Sequence, residues 1–370
     1  FFTSVFLVIC SLLVAKQIRF MQKAELGIDL EQVVVINGAA STHSDPLRRE
    51  HFLMFRDEVC QLAGVVSGTA SMNVPGQPVR YRNSNVARPD RQSNVMQEVP
   101  VGQIDDGYLE TYNLKLLAGR NFGQPFRNDS ANVLISESVA RLLEYPLPEE
   151  AINRQVLLGG ELFTIIGVVN DFHHEGLKKP AEPILFPHAH PFEFGYYSFR
   201  IKGSAEQIVK QLQTIWGKHY PNDPMDYFFS DEYFNRQYND EKRLGMILSA
   251  FTLFAIIVAS LGLYGLVSFF AQQRTKEIGI RKVNGATVLD IIVLIFRFFF
   301  RYEMAAFVLA CPLAWFFMNL WLQGFAYQTP VNGWIFLLTG AIALLISVIS
   351  VLSQSYRAAI KNPVEALRWE

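Results

Sequence analysis

At 370 residues, 50% hydrophobic and 18% charged, the chain holds more apolar side chains than suit a soluble protein of this length. A net charge of -1 leaves no domain-wide basic surface to neutralise phosphates, which excludes nucleic acid as a partner. The three cysteines, Cys10, Cys60 and Cys311, two in apolar runs and one in a helical pattern, make no disulfide framework.

Residues 1–15 are uncharged, and Lys16, Arg19 and Lys23 follow them. A cleaved signal peptide has its charges before the apolar stretch, so the order here is the reverse. Residues 1–21 are read as a first transmembrane helix, truncated at its start, and the sequence as a fragment.

Residues 22–240 have ordinary soluble composition and read as an α+β domain between the first and second spans. VVVIN (33–37) is a strand, Phe52, Phe55, Val59 and Leu62 make a helical stripe, and GVVSGTASMNV (64–74) returns as extended chain. Near the other end Tyr197, Phe199 and Ile201 alternate as in a strand. Ser204 and Gln207 form a candidate capping box before the stripe Ile208, Leu212 and Ile215, and MDYFFSDEYF closes a second β-α-β unit. Two such units predict a ferredoxin-like sheet with helices on one side. Between them, about 75–195, turn signals at Pro75-Gly76, Asp106-Gly107 and Gly159-Gly160 mark an inserted β-rich subdomain.

His173, His174, His188 and His190, with Asp171 and Glu175, are the one metal-like constellation. Neighbouring histidines on a strand point to opposite faces, and no HExxH or CxxC spacing provides a scaffold. The plainer reading is a strand over 163–169 running into a polar turn, with no metal and no cofactor. Ser136, Ser138 and His219 offer no nucleophile elbow, so no catalytic residue is assigned.

From 244 to 273 no charged side chain occurs, enough to cross a bilayer, which needs about 20 apolar residues. Arg274, Lys276, Arg281 and Lys282 then mark its cytoplasmic end. Asp290, Arg297 and Arg301 recur at helical spacing, which favours a helix that begins in the membrane interface and turns into the third span over a tilted span with a buried charge pair. Residues 304–356 again lack charge and are broken by LQGFAYQTPVNG, a hairpin with arms 304–321 and 334–353 and with Trp321, Tyr327 and Trp334 at the interface. Arg357, Lys361 and Arg368 follow the last arm. Alternating spans put both basic clusters inside and Lys16, Arg19 and Lys23 outside, where a long translocated domain overrides such charges.

No G-x-x-x-x-G-K-[ST] loop occurs, so energy from ATP has to be delivered by another polypeptide. Gly279 and Gly285 lack the spacing of a phosphate cradle and are read as letting a short helix pack and turn.

The stretch TKEIGIRKVNGAT, from Thr275 to Thr287, closely resembles the signature cytoplasmic loop of MacB/FtsX-type ABC transporter permeases. The likeness extends to CPLAWFFMNLWLQGFAYQ, to the ending RAAIKNPVEALRWE, and to YLETYNLKLLAGRNF and IIGVVNDFHHEGL in the middle domain. It implies a multi-pass permease of the bacterial inner (cytoplasmic) membrane with the large domain outside the cytoplasm. The domains would be a truncated first span (1–21), an extracytoplasmic MacB-like core domain (22–240), and an FtsX-like permease domain (241–370) with three spans and a coupling loop at 272–300. The resemblance further implies a homodimer or pseudo-dimer with a second permease unit, in contact with membrane lipid and an ABC ATPase (nucleotide-binding) subunit, moving the external domain by mechanotransmission. Carried onto this sequence, Arg274, Thr275, Lys276, Glu277, Ile278, Gly279, Ile280, Arg281, Lys282, Val283 and Gly285 form the coupling segment. Ile278, Ile280 and Val283 would insert into an ATPase groove, and Arg274, Lys276, Glu277, Arg281 and Lys282 would set register. The rival class is a membrane-anchored extracytoplasmic sensor or interaction module without an ATPase, whose basic residues only obey topology and bind lipid headgroups.

Overall fold

The structure, a computed structural model, describes residues 1–42, 46–90, 98–123, 129–188 and 195–360, with the side chains of 282, 288 and 353–360 outside that description. His190, the side chains of Lys282 and Arg357, and the ending that carries Lys361 and Arg368 therefore lie outside the described residues. The chain divides into a helical unit, Phe1–Lys23 with Tyr238–Glu370, and an α+β unit, Ala24–Gln237.

In chain order the elements are α1 (Phe2–Lys23), β1 (Val33–Asn37), α2 (Arg48–Cys60), β2 (Val65–Ser71), β3 (Arg82–Asn83), β4 (Val99–Pro100) and α3 (Tyr108–Thr111). Then come β5 (Leu116–Gly119), β6 (Asn132–Ser136), α4 (Glu137–Leu142), β7 (Gln155–Leu158), β8 (Glu161–Val169), β9 (Leu185–Pro187), β10 (Tyr196–Ile201) and α5 (Ala205–His219). The series closes with β11 (Tyr227–Phe229), α6 (Ser230–Asn235), α7 (Asn239–Gln273), α8 (Thr275–Val283), α9 (Val288–Leu322) and α10 (Gly333–Ile360).

Among the described residues, four helices are long and apolar enough to cross a membrane: Phe2–Lys23, Ser230–Gln273, Leu289–Leu322 and Gly333–Leu352. One core buries Val5, Ile9 and Leu13 of α1, at successive i+4 positions, against Ala310, Ala314 and Met318 of α9 and Ile335 of α10. The two alanines bring the backbones close, the packing that helices use when lipid is the solvent. Large apolar side chains of α7 such as Phe254 and Leu261, each 66% exposed, face outward as lipid-facing residues do.

The predicted turn between an interfacial segment and the third span does not occur. α9 is one helix over Val288–Leu322, carrying Pro312 inside it. The reason is local: Thr287 and Asp290 form a capping box that starts the helix, and neither glycine nor proline intervenes before Pro312. Asp290, Arg297 and Arg301, all exposed, lie on its first half. The loop expected over 272–300 is thus α8, a turn at 284–287, and the opening turns of α9.

In the α+β unit, β1, β2, β10 and β11 assemble in the order β11-β1-β10-β2 with every pairing antiparallel, the ferredoxin-like arrangement. Ile36 sits opposite Tyr197 and Val34 opposite Phe199, so both strands turn the same alternate residues to one face. α2 covers that face with Phe52, Phe55 and Val59, and α5 with Ile208, Leu212 and Trp216. Phe55 meets Trp216 edge to face at 5.4 Å and Phe199 at 5.6 Å. Ser204 is the N-cap of α5, but its side chain makes no capping bond and the predicted box with Gln207 is not formed. Both residues are exposed, so this helix end is open to solvent.

Within the predicted insert a second sheet runs β5-β8-β6-β9, with β7 also on β8. β8 is its hub: β5 and β7 pair with it antiparallel and β6 parallel. Val133, Ile135, Val156, Ile165, Val168 and Leu185 form its core, closed by Val139 of α4. The β7–β8 hairpin turns at Gly159-Gly160, both with positive φ.

Candidate functional site

The segment between α7 and α9 is built as a short helix held at both ends. The Arg274 amide donates to the Phe270 carbonyl at 3.1 Å, ending α7. The Thr275 hydroxyl donates to the Ala271 and Gln272 carbonyls at 3.0 and 2.7 Å, so the turn uses acceptors that a helix end leaves free. At the far end of α8 the Ala286 amide donates to the Arg281 carbonyl at 2.9 Å across Gly285, whose φ is +89°. This is the six-to-one bond of a Schellman ending, for which glycine is the unstrained residue. Thr287 then caps α9: its amide and hydroxyl donate to Asp290 Oδ2 at 2.9 and 2.7 Å.

α8 has two faces. Ile278 is 7% exposed and belongs to a cluster with Leu263 and Val267 of α7, Ile291, Ile295 and Phe299 of α9, and Val351 of α10. Gly279 beside it is also buried. Ile280 and Val283, by contrast, are 54% and 68% exposed and adjacent on the outer face at i, i+3 spacing. Lys276, one turn before Ile280, is exposed as well.

Glu277 organises the charges. It accepts from Arg274 at 3.2 Å and from Arg281 at 2.9 Å, and the Arg274 guanidinium lies 4.7 Å from the Phe270 ring centroid. These pairs are exposed, so they stabilise the fold by under about 1 kcal/mol and serve mainly to orient the two arginines.

The structure therefore corrects one expectation. Ile278 does not stand ready for a partner's groove, because it closes the chain's own core; Ile280 and Val283 are the free apolar side chains. Leu263, Val267 and Ala271 are buried at i+4 steps along α7, and Ile278 joins Leu263 and Val267 in one cluster beyond the break at Arg274, a placement set by packing and not by spacing.

In the α+β unit, the histidines are dispersed among local packing contacts. His174 meets Phe172 edge to face at 5.9 Å, and His188 meets Phe122 at 5.0 Å. Burial of its ring holds His174 down to about 4, and therefore neutral. Among the described residues no three His, Cys, Asp or Glu side chains are grouped to hold a metal.

Two families match this chain: the MacB-like periplasmic core domain over residues 3–214 and the FtsX-like permease C-terminal domain over residues 249–363. The "Macrolide export ATP-binding/permease protein MacB" of Chromobacterium violaceum is 24% identical over 243 residues, 62% of this chain and 35% of that protein. The "Uncharacterized ABC transporter permease YknZ" of Bacillus subtilis is 24% identical over 299 residues, 74% of this chain and 70% of its own length. The chain spans about a third of the length of the MacB proteins it matches. Among solved structures, the periplasmic region of MacB from Actinobacillus actinomycetemcomitans is 15% identical over 58% of this chain and 95% of its own, at a TM-score of 0.39. With four membrane-length helices and a separate α+β unit, this is a multi-pass membrane protein with an extracytoplasmic domain, and the chain belongs to the MacB/FtsX-type ABC transporter permease family.

Proposed function

We propose that this chain is a permease subunit through which ATP hydrolysis by a separate P-loop ATPase moves the extracytoplasmic unit, in the export or extraction of an amphiphile, peptide or lipoprotein. The observation that carries the reading is the outer face of α8. Ile280 and Val283 are exposed beside the Arg274–Glu277–Arg281 fan, while Ile278 fastens the same helix to α7, α9 and α10. A small apolar pair rimmed by oriented charge suits docking onto a protein groove, and its attachment through Ile278 would carry a push into three long helices at once. The relatives named as export proteins support the direction of transport. The seat is the bacterial inner (cytoplasmic) membrane, with α8 on the cytoplasmic side and a second permease unit, in a homodimer or pseudo-dimer, completing the assembly.

The experiment is co-purification of the full chain with its ATPase from membranes. Ile280→Asp and Arg281→Glu are expected to release the ATPase while the permease remains folded. If both variants keep it unchanged, α8 is not the contact. If no ATPase accompanies the parent chain, the membrane-anchored sensor or interaction module is the better description.

A further inference from the structure

Both ends of the α+β unit are tied to one loop. Residues 170–178 follow β8, the strand to which β5, β6 and β7 all pair. On the entry side, the His173 amide donates to the Leu26 carbonyl at 2.8 Å and Asn170 Nδ2 donates to the Gly27 carbonyl at 3.0 Å. Gly27 has φ +79°, and a Cβ there would lie 2.6 Å from the Asp171 carbonyl oxygen, so backbone meets backbone at this point. On the exit side, Lys178 Nζ donates to the Gln237 carbonyl at 3.2 Å, and a Cβ on Gly176 would lie 2.6 Å from Gln237 Cδ.

The loop is itself anchored. Asp171 accepts from the Ser138 amide at 2.8 Å and its hydroxyl at 2.6 Å at the start of α4, and pairs with Arg141 of its last turn at 2.6 Å. The Gly76 amide donates to the His174 carbonyl at 2.7 Å. In sequence, Ala24 follows directly on α1, and Gln237 directly precedes Tyr238 and α7. The two chain segments that join the α+β unit to the first and second spans thus share one set of partners.

We propose that loop 170–178 is a junction that makes the two connectors move as one and passes their movement into β8 and the five-stranded sheet, with Asn170, His173, Gly176 and Lys178 as its positioning residues. β1 and β11 lie near the connectors along the chain, so the four-stranded sheet follows them covalently. The five-stranded sheet is reached along the chain only through β2 and β10, and the loop adds a direct hydrogen-bonded link to both connectors. The use of this junction rests on the proposed ATP-driven movement; its existence is a matter of coupling between Leu26–Gly27 and Gln237.

The test perturbs one end and reads the other, by hydrogen exchange on the full chain in lipid nanodiscs. Gly176→Ala and, separately, Lys178→Met alter the exit contact and leave the Leu26 and Gly27 acceptors unchanged. Each is expected to make the His173 amide, whose acceptor is on the entry side, exchange about fivefold faster, the size of one lost neutral hydrogen bond. Lys178→Arg, which keeps a donor, should retain the parent rate, and β10 amides should be unchanged in all three variants, showing that the fold persists. Lys178→Met is the milder change and stands in should Gly176→Ala raise exchange in β10. If faster exchange stays confined to 176–178 and 237 while His173 keeps its rate, the two ends are not joined and the proposal falls. Co-purification with the ATPase is a separate readout, so its failure would remove the functional reading and leave this junction standing.

Discussion

The buried side-chain amide of Gln17 closes the turn between α9 and α10: its Nε2 donates to the Tyr327 carbonyl at 2.9 Å, and its Oε1 accepts from the Thr329 amide at 2.8 Å. Next to it, Lys16 Nζ donates to the Pro330 carbonyl at 2.6 Å. One end of α1 thereby supplies hydrogen bonds to a turn in which Thr329 is buried while Tyr327 and Pro330 are exposed. Gln17→Leu leaves the N–H of buried Thr329 unserved, at about 1–3 kcal/mol, and returns the carbonyl of exposed Tyr327 to solvent. A clear drop in the thermal midpoint of the full chain in detergent is expected, with Gln17→Glu, which keeps the acceptor, falling between the two. An unchanged midpoint for Gln17→Leu would mean that the turn holds by itself.

The two isoleucines of α8 should separate stability from coupling. Ile278→Ala opens a cavity among α7, α9 and α10 and should cost about 2–4 kcal/mol in unfolding. Ile280→Ala removes an exposed side chain and should change stability by no more than about 0.5 kcal/mol, while weakening ATPase co-purification. Denaturant titration and pull-down on the same two variants decide it, and a reversed pattern would mean that α8 presents its other face.

Thr287 and Asp290 begin α9, and Thr287→Ala removes the hydroxyl that accepts the Asp290 amide at 3.3 Å. The expected cost is about 1 kcal/mol, confined to the first turn of α9. Hydrogen exchange should show faster rates over 288–292 and none further along. Accelerated exchange beyond Arg301 would indicate that the cap holds the whole helix.

His174 makes the α+β unit sensitive to acid. Its ring is neutral when folded, being held down to about 4 by burial, whereas an unfolded chain takes up the proton near 6.5. Between those values the unfolded state binds more protons, so stability falls as pH is lowered from about 6.5 to about 4, by up to about 3 kcal/mol. His174→Phe keeps an aromatic ring beside Phe172 and removes the proton site. Protection factors in β8, each taken against the intrinsic exchange rate at its own pH, should fall between pH 7 and pH 5 in the parent and much less in this variant; equal falls would assign the acid sensitivity to other groups.

Much of this was readable in residue order because periodicity reports burial directly. The charge-free runs located the spans, and the alternation of Tyr197, Phe199 and Ile201 with the stripe Phe52, Phe55 and Val59 anticipated the ferredoxin-like sheet. The basic segment over 274–285 stood out for the same reason, as charge abutting an apolar run. Three features escaped. The polar stripe of Asp290, Arg297 and Arg301 suggested an interfacial helix that turns, but one continuous helix can carry charges on an exposed face. Ser204 and Gln207 had capping-box spacing, yet that helix end is open to solvent. Ile278 and Ile280 are the same residue two positions apart, and only a neighbour can decide which one is buried.

Composition and spacing by themselves determined that this chain has membrane-length helices, an α+β unit between the first two, and a compact basic helix after the second, because these depend on the chemistry of contiguous residues. The tertiary structure alone decided which face of α8 is free, that Gln17 serves a turn more than 300 residues away in sequence, and that Leu26, Gly27 and Gln237 meet on one loop. Those facts turn on hydrogen bonds and close approaches between distant segments, and a linear pattern carries no record of which distant segment a side chain will meet.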